Sequence, residues 1–260
     1  MIAVELVEGG SACPGSPGIP VIWIKKPELR NALGPDDLAE LSRQIEILGR
    51  GNRPFVLAGE GKMFCSGFDL RLCQRDPGVL AELLRRLSRT VQRMKECPVP
   101  IVVAARGGAI AGGCALLTGA DIIVGDEQAK YGYPVTPLGL SPAVSAPTLA
   151  RMIGNGPMRG RMLDPALIGG VEAARIGLVH ELVVGGEEVL PRALAIARML
   201  ADKPPAALAA TKKWVWEAAD RLAELNGPGS AEASRLGLET SLASGADPEC
   251  VERLAALRFK

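Results

Sequence analysis

The chain has 260 residues, of which 48% are hydrophobic and 23% are charged, and its formal net charge at pH 7 is +1. This composition is typical of a globular protein with one large core. The balanced charge disfavours nucleic-acid binding, which relies on a basic surface. The longest stretch poor in charge, 97–120, is interrupted by Arg106 and by glycines, so no membrane span is predicted. We therefore expect a soluble protein with no nucleic-acid partner and no membrane partner.

The N-terminal segment lacks a basic region followed by an apolar one, so no secretory signal is predicted. The six cysteines are scattered and do not show the spacing of a disulfide framework. We therefore expect reduced thiols and a cytoplasmic location. The chain has a single histidine, His180, which restricts His-based metal binding and Ser-His catalysis to one residue. No bound metal is predicted.

Up to about residue 190, short apolar runs alternate with helical patterns and glycine-rich turns, as in an α/β protein. Apolar residues at the spacing of one helical face predict a helix over 36–48. The segment 9–20, rich in Gly, Pro and Ser, is predicted to be a loop. Runs of β-branched and apolar residues predict strands at 3–7, 21–24, 54–58, 101–105 and 122–124.

From Leu190 onward the chain becomes rich in Ala, Leu and Arg and contains no strand pattern. Helical periodicity is present in 190–200, 205–225 and 230–257. We therefore predict an α/β core over 1–190 and an α-helical C-terminal region over 191–260 that serves oligomerisation or covers the site. The boundary is placed near 185–191, within a few residues.

Two glycine-rich segments, 59–70 and 106–114, each follow a predicted strand. A glycine-rich turn that leads into a helix leaves backbone N–H groups unpaired, an arrangement that suits an anion. Neither segment matches the nucleotide motifs GxGxxG or GxxxxGK[ST]. Taken singly, each segment is explained as well by tight turns and close packing.

Several short motifs occur in a fixed order along the chain. Arg-Asn-Ala-Leu ends at Leu33, Phe-Cys-Ser-Gly-Phe-Asp-Leu ends at Leu70, and Gly-Gly-Cys ends at Cys114. Tyr-Gly-Tyr-Pro, Leu-Gly-Leu and Ala-Arg-Ile-Gly-Leu-Val follow, ending at Pro134 and at residues 140 and 179. As an ordered set over 21–184, they resemble the crotonase (enoyl-CoA hydratase/isomerase) superfamily.

The resemblance implies a spiral of ββα turns with a helical C-terminal region, and a lyase or isomerase of fatty acid metabolism. It implies an acyl-CoA substrate, no cofactor besides that coenzyme A thioester, and a homotrimer, alone or paired into a hexamer. The family polarises the thioester carbonyl with two backbone N–H groups and so stabilises an enolate. The matching positions here are Ser66 and Gly112, whose amides would form the oxyanion hole.

The resemblance also suggests which residues contact the substrate and coenzyme A, namely Arg30, Ser66, Gly67, Phe68, Asp69, Gly112 and Tyr133. Asp69 is more simply explained as a helix cap, and Asp121 and His180 as structural residues. The cations Lys25, Lys26 and Arg30 could meet the phosphates, although solvated loop charges explain them almost as well. Further hydroxyl donors to a substrate could come from Tyr131, Thr136, Ser141 and Ser145, with a polar loop lining as the alternative.

The two glutamates of a family hydratase do not carry over, because Ala115 and Val135 occupy their positions. The acid of some isomerases corresponds to Ala143, and no Asp or Glu occurs between Lys130 and Asp164. Adding water to a double bond needs groups that orient the water and deliver a proton, and alanine and valine do neither. Ordinary two-glutamate hydration is therefore not expected.

Two hypotheses remain open. In the first, the protein is an enzyme that stabilises a thioester enolate, with decarboxylation of a β-carboxyacyl-CoA as the special case that needs no carboxylate base. In the second, it is an acyl-CoA-binding homologue that kept the fold and lost the chemistry. The intact pairs Ser66-Gly67 and Gly112-Gly113 favour the enzyme hypothesis. Ala115 and Val135 favour the binding-protein hypothesis.

Overall fold

The computed structural model describes residues 1–8, 18–76, 78–224 and 230–258. Its strands are β1 (Ile2–Val7), β2 (Ile19–Ile24), β3 (Phe55–Gly59), β4 (Ile101–Ala105), β5 (Gly108–Ile110), β6 (Ile122–Asp126), β7 (Lys130–Gly132), β8 (Ile168–Gly169) and β9 (Glu181–Val183). The five predicted strands are all present. Of the predicted loop 9–20, residues 9–17 lie outside the described residues, and the end of the segment belongs to β2.

The helices follow the strands in the alternation that the sequence predicts. They are α1 (Pro35–Gly49), α2 (Leu70–Arg75), α3 (Gly78–Glu96), α4 (Gly112–Leu117), α5 (Ala146–Ile153), α6 (Asn155–Leu163), α7 (Gly170–Arg175), α8 (Val189–Ala201), α9 (Pro205–Glu224), α10 (Ser230–Gly245) and α11 (Pro248–Ala255). Within the described ranges, no helix is both long enough and apolar enough to cross a bilayer.

The main sheet has six strands in the order β1-β2-β3-β4-β6-β9. Only β1 runs antiparallel to its neighbour, and the other pairs are parallel. Strands β3 and β4 are buried at every residue, which explains why they read as unbroken apolar runs. A second, three-stranded sheet has the order β5-β7-β8. The predicted α/β fold with a helical C-terminal region is confirmed.

Side chains on the two faces of the main sheet enter different clusters, as strand geometry requires. On one face, Ile22 and Ile24 of β2 pack in the large cluster that contains residues of α1 and α3. On the other face, Val21 packs in a smaller cluster with Ala193 and Ala197 of α8. Helix α8 therefore covers this face of the main sheet.

The C-terminal segment 230–257, predicted as one helical stretch, forms two helices. Asp247 has an extended backbone and its side chain accepts a hydrogen bond from the Glu249 amide at 2.9 Å, while Pro248 occupies the first turn. An Asp cap followed by proline is a strong helix start, so α11 begins anew there. Both α10 and α11 contact elements of the α/β core.

Candidate active site

The Arg-Asn-Ala-Leu motif contains a buried polar side chain that holds neighbouring loops together. Asn31 is fully buried and has a positive φ of 58°. Its side-chain oxygen accepts from the Lys26 amide at 2.9 Å, and its nitrogen donates to the carbonyls of Glu60 and Met63 at 2.9 and 2.6 Å. These bonds tie the motif to the turn that follows β3, where the first glycine-rich segment lies.

A short ladder joins this motif to the glycine-rich segment. The Leu33 amide donates to the Gly67 carbonyl at 2.8 Å, and the Asp69 amide donates to the Leu33 carbonyl at 3.0 Å. One step earlier, the Ser66 amide donates to the Arg30 carbonyl at 3.0 Å. The Ser66 amide is therefore already bonded, which corrects our expectation that it is available to a substrate.

The amide of Phe68 differs from that of Ser66. It lies between the two ladder bonds, on the side of the segment that faces away from Leu33, and it donates no hydrogen bond to any described residue. The Gly112 amide likewise has no acceptor within the described part of the chain. These two N–H groups are thus available to a ligand.

The fold brings the two glycine-rich segments into direct contact. A Cβ on Gly67, whose φ is +100°, would lie 3.0 Å from the Ile110 carbonyl oxygen and 3.2 Å from the Gly112 nitrogen. A Cβ on Gly112 would lie 3.0 Å from the Phe68 ring. Ala111 has a strained φ of 51°, a conformation typically retained at functional sites. The Phe68 and Gly112 amides therefore belong to neighbouring backbone segments.

A cavity of about 150 Å³ lies beside these segments. None of the described residues that line it has a charged side chain, and its polar side chains are hydroxyl groups. Ala115 and Val135, the positions to which the resemblance assigns the family acids, are part of its wall. The lining residues are Ser66, Phe68, Leu70, Leu84, Leu87, Ile110, Ala111, Gly112, Ala115, Tyr133, Pro134, Val135, Leu138, Leu140, Ser141, Pro142, Val144, Ser145 and Leu254. We call this space the acyl cavity.

The two tyrosines of the chain differ in their hydrogen bonding. Tyr131 is fully buried and its hydroxyl donates to the Ala105 carbonyl at 3.2 Å. Tyr133 lines the acyl cavity, and its buried hydroxyl lies near Cys114 and Ser145 without a hydrogen bond of acceptable geometry to either. Burial raises the pKa of Tyr133 well above its usual value, so this hydroxyl keeps its proton.

The cysteines near the site are inert. Cys65 and Cys114 are fully buried, and burial raises the pKa of each thiol to about 12. Because the thiolate is the reactive form, neither residue is a nucleophile near neutral pH. All five cysteines of the described residues are free, and Cys13 lies outside them.

Asp69 caps a helix, as we predicted. Its side chain accepts from the Arg71 amide at 3.2 Å and forms a two-pronged ion pair with the Arg71 guanidinium at 2.8 Å. The hydrogen bonds from Arg71 lower the pKa of Asp69. The carboxylate begins α2 and does not line the acyl cavity.

Asp121 has the structural role that we predicted. Its carboxylate accepts from the Ile101 amide at 2.7 Å, from Lys212 at 2.6 Å and from the Trp216 indole at 3.3 Å. Lys212 is also buried and donates to two backbone carbonyls, those of Met94 and Val99. This cluster joins α9 to the α/β core.

A second cavity, of about 300 Å³, adjoins the acyl cavity and shares Ile110 with it. Three cationic side chains line it, namely Arg30, Lys62 and Lys130, together with one carboxylate, Glu60. An excess of cations in one cavity is the arrangement that phosphate groups favour.

Several residues singled out from the sequence lie elsewhere. Lys25 and Lys26 each form an ion pair with an acidic side chain and line neither cavity. Thr136 lines a different cavity. His180 accepts a hydrogen bond from the Ile123 amide at 3.0 Å through Nδ1, which agrees with the structural role predicted for it.

The chain is similar to known proteins in both sequence and fold. Residues 15–233 match the family model described as Enoyl-CoA hydratase/isomerase. A Crotonyl-CoA hydratase of Syntrophomonas wolfei is 30% identical over 197 residues, covering 74% of this chain and 75% of that protein. A Mycobacterium tuberculosis protein named (7aS)-7a-methyl-1,5-dioxo-2,3,5,6,7,7a-hexahydro-1H-indene-carboxyl-CoA hydrolase is 29% identical, covering 76% of this chain and 80% of that protein.

Solved structures agree with the sequence comparison. An enoyl-CoA hydratase/isomerase from Xanthobacter autotrophicus Py2 has a TM-score of 0.83 and 27% identity, and the match covers 96% of this chain and 90% of that one. The structure of an enoyl-CoA hydratase/isomerase from Mycobacterium paratuberculosis, at 21% identity, has the same fold with a TM-score of 0.82 and covers 98% of each chain. The chain therefore belongs to the enoyl-CoA hydratase/isomerase family of acyl-CoA-processing enzymes.

Proposed function

We propose that this protein binds an acyl-CoA thioester and stabilises its enolate with the backbone amides of Phe68 and Gly112. The observation that carries the proposal is that these two amides have no acceptor among the described residues and lie on contacting segments beside an uncharged cavity. Ser66, the donor suggested by the motif, is replaced in this role by Phe68, because the Ser66 amide is bonded to Arg30.

The two amides would act on the thioester oxygen. When an enolate forms, negative charge develops on that oxygen, and fixed N–H donors stabilise it without reorganising. Removing one such donor in other enzymes costs about 3 to 4 kcal/mol of transition-state stabilisation. The strained backbone at Ala111 and the positive φ of Gly67 hold the donors in place before the substrate arrives.

Coenzyme A would extend from the acyl cavity into the neighbouring cationic cavity. Arg30, Lys62 and Lys130 supply positive charge there, and Ile110 is common to both cavities. The uncharged acyl cavity receives the acyl group, and the cations receive the phosphates of the coenzyme. No other cofactor enters this scheme.

We further propose that the chain does not use the two-glutamate hydration mechanism. Ala115 and Val135 line the acyl cavity where the family acids would stand, and no described lining residue carries a carboxylate. The enolate would then have to arise without a protein base, as when a β-carboxyacyl-CoA loses carbon dioxide. In that step the bond from the α-carbon to the carboxylate breaks, its electron pair enters the enolate, and water protonates the α-carbon.

A non-catalytic acyl-CoA-binding protein is the second candidate. It is favoured by the same absence of acids and bases among the described lining residues. Reactions other than hydration are represented among the relatives, since the Mycobacterium tuberculosis protein is named a carboxyl-CoA hydrolase. Turnover of candidate β-carboxyacyl-CoA substrates separates the two proposals.

We also propose that the protein is a homotrimer, alone or paired into a hexamer, and that it is cytoplasmic. Two large apolar side chains of α9, Trp214 and Val215, are 67% and 53% exposed in the single chain, and contact with a second copy would cover them. Sedimentation equilibrium at micromolar concentration tests the assembly. A monomer at that concentration would contradict it.

The hydration proposal is tested with crotonyl-CoA by the loss of conjugated-enoyl absorbance. Positioned acids and bases contribute about 10²- to 10⁴-fold each, so hydration should be far slower than in a competent family member. The double change Ala115→Glu and Val135→Glu should restore some hydration, while either single change should not. Rapid hydration by the unaltered protein would refute the proposal.

The oxyanion proposal is tested at Gly112, with binding measured by calorimetry. Gly112→Pro removes the N–H while proline remains acceptable in the first turn of a helix. Gly112→Ala is the matched control, since it keeps the N–H and adds the Cβ that meets the Phe68 ring. We expect acyl-CoA binding or turnover to fall further in the proline variant. Equal effects in both variants would mean that the amide makes no contribution.

A further inference from the structure

One wall of the acyl cavity is held by side chains of the C-terminal helices. Ser241 of α10 is fully buried, and its hydroxyl accepts from the Val144 amide at 3.1 Å and donates to the Ser141 carbonyl at 2.8 Å. Ser244, one turn later, accepts from the Ser141 amide at 2.9 Å. Three backbone groups of the wall are thus bonded to two serines of another region.

The wall depends on these serines because it has little regular structure of its own. Residues 140–145 run from a loop into one 3-10 turn, so most of their backbone groups have no helix or sheet partner. Buried backbone groups without partners are costly. Leu140, Ser141, Pro142, Val144 and Ser145 all line the acyl cavity.

The backbones of the two regions also approach each other closely. A Cβ on Gly237 of α10 would collide with the Ala143 carbonyl oxygen. A Cβ on Gly139, before the wall, would lie 3.0 Å from the Cys250 Cα of α11. Glycine at both points lets the C-terminal helices lie directly against the segment that carries the wall.

Helix α11 contributes to the cavity as well. Its Leu254 lines the acyl cavity and is 5% exposed. The end of this helix is fastened to α2 by Gln74, whose side-chain nitrogen donates to three backbone carbonyls, those of Leu254, Ala255 and Leu257. The C-terminal helices of the same chain therefore complete the cavity.

We infer that Ser241 is a positioning residue that determines how the protein selects the acyl group of its ligand. By bonding to Ser141 and Val144, it holds the wall 140–145 at the distance that fits an uncharged acyl chain. Ser241 itself does not line the cavity, so it acts only through the wall. This inference rests on the proposed function, since it takes an acyl-CoA as the ligand.

The cationic cavity provides an internal reference. Its lining residues come from other elements and include none of 140–145 or of the C-terminal helices. Loosening the wall should therefore weaken binding of the acyl part and leave binding of the coenzyme part unchanged. The difference in affinity between a medium-chain acyl-CoA and free coenzyme A isolates this effect.

The experiment compares Ser241→Ala with Thr240→Ala, whose exposed hydroxyl donates only within its own helix, to the Leu236 carbonyl. Calorimetry with free coenzyme A, acetyl-CoA and hexanoyl-CoA measures affinity. For Ser241→Ala we expect hexanoyl-CoA to bind about tenfold more weakly, with coenzyme A within about twofold of the unaltered protein. Thr240→Ala should match the unaltered protein with all three ligands.

Hydrogen exchange supplies a second readout that needs no ligand. The Val144 amide, whose acceptor is the Ser241 hydroxyl, should exchange faster in Ser241→Ala and at the normal rate in Thr240→Ala. If Ser241→Ala does not fold, Ser244→Ala, which removes one bond to the wall rather than two, should show the same pattern of ligand affinities with a smaller effect. It should accelerate exchange at Ser141 alone.

Two outcomes would overturn the inference, and they are distinguishable from each other. If the unaltered protein binds hexanoyl-CoA but Ser241→Ala binds it equally well, the positioning role is wrong and the proposed function stands. If the unaltered protein binds none of the three ligands, the proposed function is wrong and the inference fails with it.

Discussion

Two buried polar regions of this molecule differ in how completely their groups are bonded. In the cluster around Asp121, the carboxylate accepts three hydrogen bonds, and Lys212 is bonded to it and to two carbonyls. Beside the acyl cavity, the Tyr133 hydroxyl and the amides of Phe68 and Gly112 have no partner within the described residues. The first region is charged and satisfied, and the second is neutral and unsatisfied.

This difference indicates that the Asp121 cluster has a structural role and that the acyl cavity has a ligand-binding role. A buried charge is tolerated only when it is paired and hydrogen-bonded, so the Asp121 cluster is complete without a ligand. Unpaired buried donors are costly in a folded chain, and they persist where something outside the chain completes them. The acyl cavity is therefore where a ligand is expected, and the charged cluster is not.

The largest expected effect is on the charged cluster. Lys212→Met removes the buried cation and leaves the partly buried Asp121 carboxylate unpaired, so the free energy of unfolding should fall by about 3 to 5 kcal/mol. Urea denaturation measures the change. The control is Lys213→Met, since Lys213 is exposed and 3.7 Å from Glu217, and it should cost less than about 1 kcal/mol. Equal costs for the two variants would contradict the structural role of the cluster.

Next in size is the effect of crowding the contact between the glycine-rich segments. Gly67→Ala places a Cβ on a residue with a φ of +100°, 3.0 Å from the Ile110 carbonyl oxygen. The free energy of unfolding should therefore fall by about 1 to 3 kcal/mol. Gly156→Ala is the control in α6, where a Cβ meets nothing within 4 Å. It should stabilise the protein by up to about 1 kcal/mol. If Gly67→Ala does not lower the free energy of unfolding, the two glycine-rich segments lie farther apart than the structure places them.

The two tyrosines allow a hydroxyl that is hydrogen-bonded to be compared with one that is not, within one residue type. Tyr131→Phe removes a hydroxyl that is bonded to Ala105 and should lower the free energy of unfolding by about 1 kcal/mol. Tyr133→Phe removes a hydroxyl that has no hydrogen-bond partner of acceptable geometry among the described residues, so the midpoint of thermal unfolding should stay the same or rise slightly. A larger loss from Tyr133→Phe would show that this hydroxyl is bonded in solution.

The smallest expected effect is that of pH on acyl selectivity. Tyr133 is the one titratable residue among those described in the cavity lining, and burial raises its pKa well above the usual value. A group with a raised pKa stays protonated below that value, so no lining group changes charge between pH 6 and 9. The ratio of hexanoyl-CoA to coenzyme A affinity should stay constant over this range. If the ratio of the two affinities changes with pH, an ionisable group must act on the acyl cavity.

Five of the nine described strands and the order of the site motifs were predictable, because both are local properties of the chain. β-branched runs predicted β4 and β6, and the ordered motifs predicted the family. Helix α3 was not predicted, although Leu80, Leu84, Leu87 and Val91 fall at helical spacing and are buried in it. That signal was present in the sequence.

Other features carried no local signal. Nothing in the sequence shows that the Ser66 amide faces Arg30 while the Phe68 amide remains unbonded, because a bond between segments 36 residues apart depends on their relative position. The same holds for Ser241, a serine in an ordinary helical pattern whose partners lie 97 and 100 residues away.

The sequence by itself determined the α/β class and the family, since these depend on residue identity and on short-range periodicity. The tertiary structure alone decided which amides are available, which tyrosine hydroxyl lacks a partner and which helices complete the acyl cavity. These depend on where distant segments meet, and hydrogen bonding is settled only when donors and acceptors from those segments come within about 3 Å of each other.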